Sequence, residues 1–169
     1  LMPRPFKVAA NLPYYITTQI LLTLLEKNLP VTKIVTMVQR EVAERMTASP
    51  GSKIYGALSA AVQFRSEARI AFDVPPESFL PPPEVTSSVV VCDIRKPPFE
   101  VVDEEFFTKV VRAAFAQRRK TLANSLAATF GREKISAALS AADIDGSRRA
   151  ETLSLTEFAR LANCLAEGA

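Results

Sequence analysis

The chain has 169 residues, of which 48% are hydrophobic and 23% charged, and its formal net charge is +3. This composition is typical of a globular protein, the length allows one domain or one and a fraction, and no apolar run reaches membrane-spanning length. Histidine is absent and the two cysteines, Cys92 and Cys164, lie far apart, so histidine base catalysis is excluded and we predict no metal site. With no secretory signal pattern, we expect a cytoplasmic protein with reduced thiols and no membrane partner.

The first elements in chain order are a strand, a helix and a second strand. A short apolar run predicts a buried strand over residues 6–10, which leads into Asn11-Leu12-Pro13-Tyr14. Apolar residues at helical spacing predict a helix from Ile16 to Asn28, and a β-branched run predicts a strand from Lys33 to Gln39. This order indicates a parallel α/β sheet.

The same domain is predicted to continue to a proline-rich loop and a final strand. The remaining elements are helices over residues 40–47 and 55–65 and strands over 68–74 and 87–95. Five prolines lie between the last two strands, and such a loop is stiff and extended. It is suited to holding Phe79 in a fixed position, although simple hydrophobic packing explains that residue equally well.

Pro97-Pro98 is typical of a domain boundary, and no convincing strand follows it. Helices are predicted over residues 103–117, 121–129 and 133–142, and a last helix begins at Ser154, where Glu157 completes a capping box. We therefore predict two domains, an α/β domain over residues 1–96 and a small helical domain over residues 97–169.

The Asn-Leu-Pro-Tyr stretch has the chemistry needed to grip a flat ring that carries an amine. Pro13 restricts the direction of the Leu12 carbonyl, and Asn11 offers a side-chain carbonyl beside it. Two such acceptors can form hydrogen bonds with both hydrogens of an exocyclic amine, which favours a nucleophilic nitrogen. Tyr14 provides a stacking face for the ring. The alternative is an ordinary strand-to-helix turn, which these four residues by themselves favour.

Basic residues concentrate in the second domain. Arg118-Arg119-Lys120 falls between two predicted helices, with Arg112 before it and Arg148-Arg149 in a later loop. If the helices bring these residues together, they form a positive face that neutralises phosphates. The alternative is a set of solvated helix ends.

Several separated motifs resemble one known family, the ribosomal small-subunit RNA adenine dimethyltransferases. The resemblance spans nearly the whole chain, and its motifs occur in the expected order. They are Asn11–Ile16, Val38–Arg45, Pro50–Gly56, Phe79–Val85, Phe115–Leu122 and Arg149–Ser154.

The resemblance implies an S-adenosylmethionine-dependent class I enzyme that dimethylates two adjacent adenosines in the terminal hairpin of small-subunit rRNA. Asn11 and the Leu12 carbonyl, fixed by Pro13, would hold the target amine, and Asn11 would also border the cofactor. Tyr14 and Phe79 would cover the two faces of the flipped base. The rRNA-facing residues would be Arg112, Arg118, Arg119, Lys120, Arg148 and Arg149.

The family's glycine-rich cofactor loop has no counterpart here, and the chain has only 5 glycines. We therefore expect the C-terminal part of a Rossmann-like class I methyltransferase sheet followed by a small all-α domain. Such a fragment is expected to be inactive alone, whereas the full-length enzyme is expected to act as a monomer on immature small ribosomal subunits.

Two other functions remain open from the sequence. One is a large-subunit rRNA adenine methylase of the antibiotic-resistance type, which shares the amine-gripping motif. The other is a non-enzymatic rRNA-binding module that acts in subunit assembly, which the basic helical domain supports.

Overall fold

A computed structural model describes residues 4–27 and 29–168 and separates the chain into two compact units. The first comprises Leu1–Ala48 with Ala61–Pro97, and the second comprises Ser49–Ala60 with Pro98–Ala169. The chain passes from the first unit to the second at residue 97. Residues 49–60 also belong to the second unit, although they lie between two stretches of the first.

In the described part of the chain, the first unit contains a four-stranded sheet with helices. Its strands are β1 (Phe6–Asn11), β2 (Val31–Gln39), β3 (Ser66–Val74) and β4 (Ser87–Ile94). Its helices are α1 (Tyr14–Glu26) and α2 (Arg40–Thr47), and α3 (Ala57–Arg65) begins in the second unit and ends in the first. The core contains Leu21, Ile34, Val38, Met46, Val62 and Val90, each at most 1% exposed.

The strand order is β1-β2-β4-β3, and the sheet is mixed. β1 and β2 run parallel across the α1 connection, as the strand-helix-strand pattern predicts. The prediction of a parallel sheet is wrong for β4, which is antiparallel to both β2 and β3. The reason is that β3 and β4 are joined by the proline-rich loop with no crossover helix, and such a connection reverses the chain.

The first strand was also expected to be buried, and this is wrong. Phe6 is 41% exposed, and β1 alternates between exposed and half-buried residues. Within the described residues β1 pairs with β2 alone, so it forms an edge of the sheet.

Helix α1 begins two residues earlier than predicted. Pro13 is its N-cap residue with φ −57°, and its carbonyl accepts the Ile16 and Thr17 amides at 3.1 and 3.2 Å. A proline with this φ angle is preorganised to start a helix. The predicted end at Asn28 lies outside the described residues.

The second unit is helical. Its helices are α4 (Glu104–Phe115), α5 (Leu122–Phe130), α6 (Arg132–Ala141) and α7 (Leu155–Glu167). Phe107, Leu122, Leu126, Ile135, Leu153, Phe158 and Leu161 form its core. The capping box of Ser154 and Glu157 is present at the start of α7. Among the described helices of the whole chain, none combines the length and apolar character needed to cross a bilayer.

Candidate functional site

A cleft of about 360 Å³ lies where β1 gives way to α1. The parallel strands β1 and β2 end side by side there, with Asn11 paired to Met37. Ligands of α/β sheets bind outside the carboxyl ends of the strands. The cleft is lined by Asn11, Leu12, Pro13, Tyr14, Phe79, Pro81 and Pro83.

Asn11 is exposed at the end of its strand. Within residues 4–27 and 29–168, its carboxamide has no hydrogen-bond partner. The amide is therefore not consumed by the protein interior, and both its oxygen and its nitrogen are available to a ligand.

The Leu12 and Pro13 carbonyls are fixed by the hydroxyl of Thr17. This side chain, 2% exposed, donates to the Pro13 carbonyl at 2.8 Å and to the Leu12 carbonyl at 3.3 Å. A carbonyl oxygen has two lone pairs, so the Leu12 oxygen retains acceptor capacity on its other side.

Tyr14 is half-buried, and its hydroxyl is hydrogen-bonded to the hydroxyl of Ser87, which is fully buried at the start of β4. The Tyr14 ring is thus restrained by its hydroxyl as well as by its attachment to the backbone. A ring fixed at both ends presents a stacking face at a low cost in conformational entropy.

Phe79 reaches the same cleft from the proline-rich loop. The loop is not uniformly extended as predicted, because residues Pro76–Ser78 form one 3₁₀ turn and the Phe79 amide donates to the Pro76 carbonyl at 3.1 Å. Phe79 is half-buried, so part of its surface remains open. The structure therefore brings Asn11, Leu12, Pro13, Tyr14 and Phe79 together at one cleft.

Sequence reasoning missed Thr17 and Ser87, which hold the cleft residues in place. A threonine hydroxyl often bonds the carbonyl four residues earlier in a helix, so the spacing from Pro13 to Thr17 was a usable signal. Ser87 lies 73 positions from Tyr14, and no local pattern connects the two residues.

The predicted basic residues lie on the helical unit. Arg118, Arg119 and Lys120 are exposed in the turn between α4 and α5, and Arg112 is exposed in the last turn of α4. The Leu122 amide donates to the Arg148 carbonyl at 2.7 Å, which joins the later loop to the start of α5. The two basic segments are therefore neighbours, and Arg149 is exposed beside them.

The guanidinium of Arg148 is committed within the protein. It forms an ion pair with Glu157 and donates to the Thr152 carbonyl at 2.7 Å. The hydrogen bond from Arg148 lowers the pKa of Glu157 to about 2, with the Ser154 donors assisting, and the same bond raises the pKa of Arg148. This pair fixes the loop.

Two solved structures resemble this chain in fold. A dimethyladenosine transferase from Plasmodium falciparum aligns with a TM-score of 0.82 at 22% identity, covering 95% of this chain and 66% of that one. The 23S rRNA methyltransferase ErmE aligns with a TM-score of 0.69 at 23% identity, covering 97% and 66%. Both structures share the fold of this chain, an α/β sheet followed by helices, which confirms the α/β fold class expected from the sequence.

The sequence comparisons define the family. The family model described as "Ribosomal RNA adenine dimethylase" matches residues 2–167, and the chain belongs to this family. A "Ribosomal RNA small subunit methyltransferase A" of Oceanobacillus iheyensis is 51% identical over 161 residues, or 92% of this chain and 55% of the relative. One of the same name from Latilactobacillus sakei is 52% identical over 167 residues, or 95% and 56%. The chain thus spans about half the length of the curated relatives it matches.

Proposed function

We propose that this chain carries the base-gripping cleft and the rRNA-facing unit of an rRNA adenine dimethyltransferase. The enzyme transfers methyl groups from S-adenosylmethionine to the exocyclic amines of two adjacent adenosines in the terminal hairpin of small-subunit rRNA. The observation that carries the proposal is the cleft in which the free Asn11 carboxamide, the Leu12 carbonyl and two aromatic rings meet. Family membership and the names of the relatives support it.

Two acceptors activate the target amine. The Asn11 side-chain oxygen and the Leu12 carbonyl each accept a hydrogen bond from one N–H of the amine. These two hydrogen bonds favour a pyramidal nitrogen, whose lone pair is no longer conjugated with the ring. Because Thr17 holds the Leu12 carbonyl in place, this acceptor needs little reorganisation when the base arrives. This catalysis consists of positioning and electrostatics and requires no strong base.

Two aromatic faces hold the flipped adenine. Extruding a base from its stack costs a few kcal/mol, and stacking on an aromatic side chain returns about 1–3 kcal/mol per base. Tyr14, fixed through Ser87, covers one face, and Phe79 on its 3₁₀ turn covers the other.

The described residues fit the acceptor base more fully than the cofactor. The cleft offers carbonyl acceptors and ring faces, which suit an amine-bearing base. Asn11, at the carboxyl end of β1, is the residue we assign to the cofactor side. When bound, S-adenosylmethionine supplies an electrophilic methyl group on a sulfonium.

The basic surface of the helical unit binds rRNA phosphates. Arg118, Arg119, Lys120 and Arg149 are its exposed members, and Arg112 flanks it in α4. The same surface serves the second candidate function, docking on immature small subunits during assembly, so one protein can perform both. The large-subunit alternative is disfavoured because the relatives near 50% identity carry small-subunit names.

The test separates methyl transfer from binding. The chain is fused to the part of the Oceanobacillus iheyensis relative that lies outside the matched region, and it is assayed with labelled S-adenosylmethionine on unmethylated small ribosomal subunits. Asn11→Ala is expected to reduce transfer by about 100-fold or more, the typical cost of losing one hydrogen-bonding group directed at the reacting centre, with unchanged subunit affinity. Gln19→Ala removes the carboxamide of an exposed residue of α1 that does not line the cleft and serves as the matched control, with activity retained.

Full activity of the Asn11→Ala fusion would overturn the amine-grip mechanism. Methylation of the large subunit, located by primer extension, would support the alternative substrate. Subunit binding with no transfer by the unsubstituted fusion would favour the assembly module.

A further inference from the structure

The segment 49–56 contains a motif that the cleft does not use. It belongs to the helical unit, and three contacts hold it there. The Gly51 amide donates to the Glu151 carbonyl at 2.7 Å, the buried Tyr55 ring meets the Phe115 ring edge-on at 5.8 Å, and Arg118 Nη2 donates to the Lys53 carbonyl at 2.6 Å.

The last of these contacts assigns Arg118 a role different from that of its neighbours. Its guanidinium bonds the backbone of a segment 65 positions away, which ties residues 49–56 to the turn between α4 and α5. Arg119 and Lys120 are exposed in the same turn, and no hydrogen bond or ion pair to their side chains occurs within the described residues.

The hydrogen bond from Arg118 to its carbonyl places Lys53 next to the basic surface of the helical unit. Its side chain is exposed, and across residues 4–27 and 29–168 no carboxylate pairs with it. Of the nearby acids, Glu157 is neutralised by Arg148 and Glu151 is half-buried. A cluster of cations without acidic partners favours a polyanion, and a lysine ammonium is a compact point charge suited to a phosphate oxygen.

We propose that Lys53 is a further phosphate-binding residue of the rRNA-facing surface, and that Arg118 is the positioning residue that holds it there. The inference rests on the proposed function and extends its surface to a segment that precedes the helical domain in sequence. Arg118 acts through Lys53, whereas Arg119 and Lys120 contact phosphates directly.

The experiment measures the affinity of the 169-residue chain for unmethylated small ribosomal subunits over a range of salt concentrations. Lys53→Ala is expected to weaken binding by about 3- to 10-fold near 100 mM salt and to reduce the salt slope by about one. Lys53→Arg is expected to retain both. Arg160→Ala removes one exposed positive charge from α7 of the same unit and serves as the control, with no change expected.

A double-mutant cycle tests the positioning role. Arg118→Ala is expected to weaken binding in the unsubstituted chain and to add almost nothing in the Lys53→Ala background, because its effect passes through Lys53. Additive losses would show that Arg118 contacts phosphate itself and would overturn its positioning role. Thermal unfolding of each variant identifies any loss that comes from misfolding.

The controls distinguish this inference from the proposed function. If Arg119→Ala and Lys120→Ala lower affinity and slope but Lys53→Ala lowers neither, the inference fails and the rRNA-facing surface stands. If none of these substitutions changes affinity or slope, the rRNA-facing surface itself is wrong.

Discussion

At the scale of single residues, the cleft depends on hydroxyl groups that contact no proposed substrate. Thr17 fixes the Leu12 and Pro13 carbonyls, and Ser87 holds the Tyr14 hydroxyl. Both hydroxyl residues are at most 2% exposed, so their hydrogen bonds are shielded from competing water. The Leu12 carbonyl and the Tyr14 ring are therefore oriented before a base enters, which lowers the conformational-entropy cost of binding.

The ion pair of Glu157 and Arg148 makes the stability of the helical unit depend on pH. The pKa of Glu157 falls from 4.5 to about 2 in the folded chain, because it accepts hydrogen bonds from Arg148 and from Ser154. A depressed carboxyl pKa contributes stability that is present above the unfolded value and lost as the pH falls through the folded value. The contribution is therefore complete above about pH 5 and declines towards pH 2.

We expect Glu157→Gln to lower the free energy of unfolding by about 1–3 kcal/mol at pH 7. The difference from the unsubstituted chain is expected to shrink as the pH approaches 2, because the native carboxyl is then protonated. Urea unfolding at pH 7 and near pH 3 measures this, with the exposed Glu67→Gln as control. An equal difference at both pH values would argue that the ion pair does not carry the effect.

At the scale of elements, helix α4 shows how local sequence determines a helix start. Asp103 has extended backbone angles, and its carboxylate accepts the Glu105 and Phe106 amides at 2.8 and 3.0 Å. Glu104 and Glu105 add negative charge to the first turn, where the helix dipole favours it. The buried face of the helix then packs Phe107, Val110 and Val111 into the core.

Asp103→Ala is expected to destabilise the chain by about 0.5–2 kcal/mol, because two amides of the first turn lose their acceptor. Asp103→Asn retains a side-chain oxygen and is expected to lose much less. Thermal or urea unfolding compares the two substitutions. Equal losses would indicate that the charge of Asp103, rather than its capping hydrogen bonds, stabilises α4.

At the scale of the whole molecule, the helical unit is discontinuous in sequence. Residues 49–60 belong to it, although they lie between two stretches of the α/β unit. Tyr55 anchors this segment: it is 0% exposed and packs against Phe115, which in turn contacts Phe158. Burial raises the pKa of Tyr55 to about 12, with the charge of Glu157 assisting.

Tyr55 therefore stabilises the unit through its ring rather than through its hydroxyl, which has no hydrogen-bond partner among the described residues. Tyr55→Ala is expected to cost about 3–5 kcal/mol by leaving a cavity, whereas Tyr55→Phe is expected to be nearly neutral. Urea unfolding of the 169-residue chain measures both. A loss from Tyr55→Phe as large as that from Tyr55→Ala would mean that the hydroxyl is bonded in solution.

The sequence by itself determined the secondary structure, because periodicity, caps and prolines act over a few residues. The strands, the helices and the capping box of Ser154 and Glu157 follow from such local signals. The motif Asn11–Tyr14 likewise contained its own chemistry in four adjacent residues.

Only the tertiary structure decided the antiparallel pairing of β4 and the placement of residues 49–60 with the helical unit. It also decided that Ser87 holds Tyr14 and that Arg118 holds Lys53, across 73 and 65 positions. The physical reason is the separation in sequence. A hydrogen bond between distant segments depends on how whole elements pack, and the residues next to either partner in sequence do not indicate it.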